Sequence, residues 1–198
     1  MLAGGGATRF GGLPKGLMQV GGVRILDHLT RTLADATGHL PLLIANAPDA
    51  STWRPDLQVI PDVIPGLGAL GGLLTAVEAG PGPAMVVAWD MPFIPAGLLR
   101  ELAAHRGDAD VILPASPGPR GFEPMCAIYG PRCGPAIRAA LARGQREAIA
   151  FHSEVKVGIL SAERVAAFGD PAFLFFNVNT SDDLAEAERL WLRHGSSR

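Results

Sequence analysis

Residues 2–16 read Leu-Ala-Gly-Gly-Gly-Ala-Thr-Arg-Phe-Gly-Gly-Leu-Pro-Lys-Gly and hold six glycines, one arginine, one lysine and no acidic residue. Glycine lets backbone N–H groups converge on an anion with no Cβ in the way. Arg9 and Lys15 add fixed positive charge beside those amides. Ordering such a loop costs backbone entropy, which a bound ligand offsets, and the chemistry points to a polyphosphate. Two familiar phosphate loops can be tested against it. The P-loop requires G-x-x-x-x-G-K-[ST], but Lys15 follows Pro14 and precedes Gly16. The dinucleotide pattern G-x-G-x-x-G fits Gly4 and Gly6, then meets Arg9 where the third glycine belongs. Neither applies.

Three further polar residues stand just past short apolar runs: Asn46, Asp62 and Asp90. Asp90 ends the run 84–89, and Pro92 fixes the exit. A carboxylate mounted in this way suits a divalent cation, since magnesium takes one or two carboxylates together with substrate phosphates. It lies too far before the next helix to be its N-cap. Asn46 and Asp62, read alone, are turn formers at strand ends. Asn177 and Asn179 flank Val178, so strand alternation would put both amides on one face. Buried without partners they would be costly, which points to a polar ligand there.

The elements that must carry these residues alternate along the chain. Residues 24–36 place Ile25, Leu26, Leu29 and Leu33 on one helical face, and helices are also expected over 69–79, 96–105, 132–143 and 181–193. The last opens at Thr180 or Ser181, with Asp182 and Asp183 in its first turn. Strands are expected over 40–46, 57–60, 84–89, 109–114, 124–129, 155–160 and 173–178. Continuous apolar strands between amphipathic helices imply an α/β fold, a three-layer doubly wound and mostly parallel sheet covered on both faces. Ligands of such sheets bind at the carboxyl ends of the strands, the edge that Asn46, Asp62 and Asp90 share.

The chain of 198 residues is long enough for one domain with a real core, expected to span 1–198. A net charge of −2 gives no argument for nucleic acid or an anionic membrane, and 48% apolar residues place it among globular chains. No apolar run spans a bilayer and no leader pattern opens the chain, so a cytoplasmic protein is expected. Cys126 and Cys133 read as buried free thiols, and the five histidines form no metal-ligand pattern.

The opening loop resembles L-A-G-G-x-x-x-R-[MF]-G-G-x-x-K, the signature of molybdenum cofactor guanylyltransferases, within the nucleotide-sugar-type nucleotidyltransferases. Phe176-Asn177-Val178-Asn179-Thr180-Ser181-Asp182-Asp183-Leu184 resembles that family's F-x-N-[IV]-N-T-P-[ED]-D-L, and Val59-Ile60-Pro61-Asp62 its V-I-x-D segment. Trp89-Asp90-Met91-Pro92 matches C-D-x-P with tryptophan in the cysteine's place. Residues 66–73 resemble its G-P-L-x-G-[IL] turn with altered spacing, or a helix start with a small packing face. Residues 122–129 resemble its x-P-x-[CF]-A-x-[YW] strand, with Glu123 in a variable polar position of open role. A loop of this type ordinarily follows five or six apolar residues. Here Leu2 follows Met1, so the first strand reads as truncated, with the true start expected upstream.

The resemblance implies a Rossmann-like nucleotidyltransferase fold and transfer of GMP from GTP to molybdopterin, with release of pyrophosphate. It implies Mg2+ on Asp90 and Arg9, Lys15 and Asp90 as the catalytic set. Leu2, Ala3, Gly4, Lys15, Asn46, Asp62 and Asp90 would contact the nucleotide, and Asn177 and Asn179 the pterin. Expected partners are the two small substrates and other proteins of the same cofactor's biosynthesis or use, with no nucleic acid and no membrane. Two alternatives stay open: a cytidylyltransferase or other NTP-transferase on a related phosphorylated substrate, and a non-catalytic nucleotide- or cofactor-binding module.

Overall fold

The computed structural model describes residues 1–4 and 14–194. After a single 3-10 turn at Lys15–Leu17, the antiparallel pair β1 (Gln19–Val20) and β2 (Val23–Arg24) turns through Gly21 and Gly22. Helix α1 (Ile25–Thr37) follows and stops at Gly38, whose φ of 78° lets its N–H reach back to Ala34 at 2.8 Å. Then come β3 (Leu43–Ile44), α2 (Ala50–Trp53), β4 (Val59–Ile60), α3 (Gly68–Glu78), β5 (Ala84–Val87) and α4 (Ala96–Ala104). The second half holds β6 (Val111–Pro114), β7 (Cys126–Tyr129), α5 (Cys133–Ala142), β8 (Val157–Leu160), α6 (Ala162–Ala166), α7 (Pro171–Leu174) and α8 (Ser181–His194).

Residues 1–3 join the sheet's two halves. Leu2 pairs in parallel with Ile44 on one side and Ala88 on the other, through Leu2 N–H to Val87 O (2.9 Å) and Ala3 N–H to Ile44 O (2.8 Å). The spatial order is therefore β4, β3, residues 1–3, β5, β7, β6, β8. β4 runs parallel to β3 and β8 to β6, while β7 alone runs against both its neighbours.

The alternation of side chains feeds two cores, one on each face of the sheet. Met1, Ala3, Leu43, Val87, Ile112, Cys126 and Ile128 point to one, packed with Leu26 and Leu29 of α1 and Leu98 and Leu102 of α4. Leu2, Ile44, Val86, Val111, Leu113, Ala127 and Tyr129 point to the other, with Leu70 and Leu74 of α3 and Ile137 and Ala140 of α5. This is the three-layer α/β arrangement, with the strands covered on both sides. Among the described residues, no helix is long and apolar enough to cross a membrane.

One expected strand is absent. Residues 173–178 instead close the short helix α7, whose N-cap Asp170 accepts from Ala172 N–H at 2.9 Å, and then run as an irregular link. Pro171 suits the first turn of a helix. Phe173 and Leu174 are buried there, with the Phe173 ring 4.2 Å from that of Phe93, so their apolar character serves a helix rather than a ladder.

Candidate functional site

The chain departs from residues 1–3 to β3 and β4 on one side and returns through β5 on the other. The crevice lies where those directions diverge, at the carboxyl ends of the parallel strands. It has a volume of about 400 Å3. Leu2, Ala3 and Gly4 form its floor, Asn46 and Asp62 one wall, and Lys15, Trp89, Asp90 and Asn177 the other. The start of α3, with Gly68, Ala69 and Gly72, closes a third side.

Asn46 and Asp62 are a built pair. The Asn46 amide donates to Asp62 Oδ2 at 2.7 Å, and its oxygen accepts from Asp62 N–H at 2.9 Å. The adjacent ladder bond, Ala45 N–H to Ile60 O at 3.0 Å, fixes the register that makes this possible. Each side chain thus orients the other at the cleft's edge.

Lys15 and Asp90 face each other on the opposite wall, Nζ to Oδ2 at 3.7 Å, with side chains only 11% and 17% exposed. Lys15 is carried by the 3-10 turn, which closes through Leu17 N–H to Pro14 O at 3.0 Å. Asp90 leaves the sheet just past Trp89, and its own carbonyl accepts from Val178 N–H at 2.8 Å. That bond docks the 175–180 link beside the carboxylate. Burial pushes the Asp90 pKa above the usual carboxylate range, and the Lys15 charge opposes the rise.

The second carboxylate oxygen of Asp90, Oδ1, is buried and has no hydrogen-bond partner among the described residues. An anionic oxygen left unpaired at the mouth of a cleft fits a hard cation that takes oxygen ligands. Among the described residues no cluster of three or more His, Cys, Asp or Glu side chains is placed to hold a metal. Among the described residues Asp90 is thus the carboxylate placed to hold such a cation.

Trp89, which stands where the resembling family has cysteine, is accommodated by its surroundings. Its ring stacks on Trp53 with centroids 5.2 Å apart, and its Nε1–H reaches Gly4 O at 3.3 Å. A Cβ on Gly16 would fall 2.2 Å from a ring carbon, so residue 16 must be glycine for the indole to sit there. The exchange leaves the Asp90 carboxylate in the cleft.

Asn177 and Asn179 part company. Asn177 lines the cleft, its amide donating to Phe175 O at 2.9 Å. Asn179 turns to Lys15, its Oδ1 accepting from Nζ at 2.5 Å. Arg9 lies outside the described residues. Met125, given no role in the sequence reading, also lines this cleft, and Glu123, whose role was left open, lies beside it. Met125 lines both this cleft and a neighbouring one of about 300 Å3, which also takes Phe122, Glu123, Arg120 and Ile149. Glu123 accepts from Met125 N–H at 2.9 Å, and burial, with the Asp90 charge nearby, pushes its pKa up. The free thiols of Cys126 and Cys133 are buried as expected, and burial lifts the Cys133 pKa to about 11.

A switch-point cleft of this kind, on a mixed sheet whose first loop is rich in glycine, belongs to the nucleotidyltransferases. The MobA-like NTP transferase domain matches residues 1–156, and the chain belongs to that family. It is 32% identical to a probable molybdenum cofactor guanylyltransferase of Pelotomaculum thermopropionicum, over 97% of this chain and 96% of that one. It is 36% identical to a molybdenum cofactor guanylyltransferase of a Bradyrhizobium species, covering 96% and 91%. Its fold superposes with a TM-score of 0.81 on the molybdopterin-guanine dinucleotide biosynthesis protein A of Archaeoglobus fulgidus, at 23% identity and 97% coverage of both chains.

Proposed function

We propose that this chain transfers GMP from GTP to the terminal phosphate of molybdopterin, giving the guanine dinucleotide form of the cofactor and pyrophosphate. The observation that carries the reading is the pairing of Lys15 with Asp90 across one wall of a strand-end cleft, opposite the Asn46–Asp62 pair. The relatives' names, molybdenum cofactor guanylyltransferases, support this choice of substrates.

An oxygen of the acceptor's phosphate bonds to the α-phosphorus of GTP while the bond from that phosphorus to the β-phosphate bridging oxygen breaks. The acceptor phosphate is already anionic, so no base is needed, and the protein contributes position and charge. Lys15, with Arg9 and the glycine-loop amides, holds the departing β,γ-phosphates. Asp90 would hold Mg2+, which when bound would supply charge neutralisation to the nucleotide phosphates. Asn46 and Asp62 face the base, and the backbone of Leu2, Ala3 and Gly4 the base and ribose. The neighbouring cleft beside Met125 and Glu123 would take the acceptor, since Met125 and Ala69 line both clefts.

The test is product formation from molybdopterin and magnesium with GTP and CTP in competition, followed by mass spectrometry. Guanine dinucleotide product supports the reading. Cytosine dinucleotide product makes the chain a cytidylyltransferase, and nucleotide binding without pyrophosphate release makes it a binding module.

A further inference from the structure

A lysine side chain has four rotatable bonds and loses considerable rotamer freedom when held in one geometry. Lys15 is nevertheless nearly buried, and its ammonium is held from two sides, by Asn179 Oδ1 at 2.5 Å and, more distantly, by Asp90 Oδ2 at 3.7 Å. The nearer partner is neutral. An amide oxygen orients the ammonium without cancelling its charge, so the charge stays available to a phosphate; a carboxylate at the same distance would neutralise it.

Asn179 is itself fixed from below by the first turn of α8. Its N–H donates to Asp183 Oδ2 at 2.9 Å, the Thr180 N–H donates to the same oxygen at 2.8 Å, and Asp183 N–H returns a bond to Thr180 Oγ1 at 3.1 Å. That is a reciprocal capping box with aspartate in the acid's place. Burial would raise the Asp183 pKa, but the hydrogen bonds from Asn179 and Thr180, with Lys15 nearby, outweigh it and hold the carboxyl below its usual range. The same helix grips the hairpin that follows Lys15. Glu188 accepts from Gly21 N–H at 3.1 Å, and the Trp191 indole lies where a Cβ on Gly21 would be, 2.2 Å away. Helix α8 thus braces the chain on the far side of the glycine-rich loop, and Asn179 is its point of contact with the ammonium.

We propose that Asn179 is a positioning residue for Lys15, set by the Thr180–Asp183 capping box, and that its work at the cleft is done through the lysine rather than on the acceptor. This rests on the function proposed above only for its kinetic arm.

The chain has two lysines, Lys15 and Lys156, so acetylation by acetic anhydride, read by mass spectrometry, reports Lys15 against an internal standard. Lys156 suits that use because it is exposed and far from the cleft, paired with Asp108. Asn179→Ala is expected to raise the Lys15-to-Lys156 labelling ratio several-fold. Asp183→Ala is expected to raise it too, and Asp183→Asn, which keeps an acceptor oxygen for both N–H groups, to restore it. In turnover, Asn179→Ala is expected to lower kcat about 10- to 100-fold, leaving KM for molybdopterin unchanged. In a Lys15→Ala background the same change is expected to cost less than about twofold more, because its partner is gone. Asn179→Asp keeps the acceptor but cancels the charge, and is expected to raise KM for GTP. An unchanged labelling ratio in Asn179→Ala overturns the proposal. So does a full multiplicative loss in the double variant, or a rise in KM for molybdopterin. If the wild-type chain makes no guanine dinucleotide, the proposed function falls, and the labelling ratio still decides this one.

Discussion

The Lys15 ammonium stands 3.7 Å from the Asp90 carboxylate, although 75 positions separate them in the chain, and both side chains are largely withdrawn from water. The pair is too long for a strong direct bond, and Lys15 is held more closely by Asn179 at 2.5 Å. A compact ammonium fits between these two oxygens, whereas a planar guanidinium is larger and presents its donors in a fixed fork. Lys15→Arg therefore keeps the charge and loses the placement. Its kcat/KM for GTP, measured by pyrophosphate release, is expected to fall about tenfold, the size of one misplaced charged contact, with the variant still more active than Lys15→Ala.

Asn46 and Asp62 hold each other with two hydrogen bonds at the cleft's edge, on the wall proposed to face the base. Asp62→Ala frees the Asn46 amide to rotate and removes one polar group from the base edge. A site that pairs its polar groups with one base rejects another largely by leaving those groups unpaired. The GTP-over-ATP ratio of kcat/KM is expected to drop about tenfold in Asp62→Ala, the value of one lost hydrogen bond. Paired rate measurements with the two nucleotides check it.

Gly16 lies against the Trp89 ring, where an added Cβ would fall 2.2 Å from a ring carbon. Gly16→Ala forces either the indole or the 3-10 turn carrying Lys15 to move, and is expected to cost about 1–3 kcal/mol. Trp89→Cys empties the space beside Trp53 and is expected to cost about 3 kcal/mol alone. Combined, the two should cost clearly less than their sum, since the cysteine removes the clash. Denaturant melts of the four proteins measure the coupling; simple additivity would mean that the ring and the turn do not constrain each other.

His152 sits among Phe151, Phe122 and Tyr129, and its Nε2 is buried without a hydrogen-bond partner among the described residues. Burial lowers its pKa from 6.5 to about 4. Between those values the unfolded chain binds more proton than the folded one, so stability falls as pH drops from 6.5 towards 4. Partial exposure of the ring screens the effect. His152→Phe should lose this share of the acid sensitivity. Between pH 7 and pH 4.5 the melting temperature of the wild type is expected to fall a few degrees further than that of the variant.

Much of the site was legible because its parts announce themselves locally. Asp90 follows a buried apolar run and precedes a proline, and Asn46 and Asp62 end two runs that pair in parallel, so the doubly wound pattern alone puts them on one edge. The first strand reads as short, and residues 1–3 make the ladder bonds to Ile44 and Val87 that join the two halves of the sheet. What sequence could not give was contact across the fold. Alternation in Asn177-Val178-Asn179 suggested a strand with both amides on one face. Asp170 and Pro171 instead start a helix, and the link after it lets Asn177 meet the cleft while Asn179 meets Lys15. Glu123 and Met125 fall in a segment that resembles the family's strand, but their place beside and in the cleft follows only from the packing of β7 beside β5. The exchange of cysteine for Trp89 showed its meaning only with Gly16 and Trp53 around it.

The central claim is that Lys15 and Asp90 act together on one triphosphate. It is tested most directly by magnesium-dependent pyrophosphate release from GTP and molybdopterin in the wild type, Lys15→Ala and Asp90→Asn, with melting temperatures measured alongside. Loss of one charge donor of this kind costs about 100-fold or more in kcat. The expected result is such a loss in each variant with the melting temperature held. Turnover near the wild-type rate in either folded variant would contradict it.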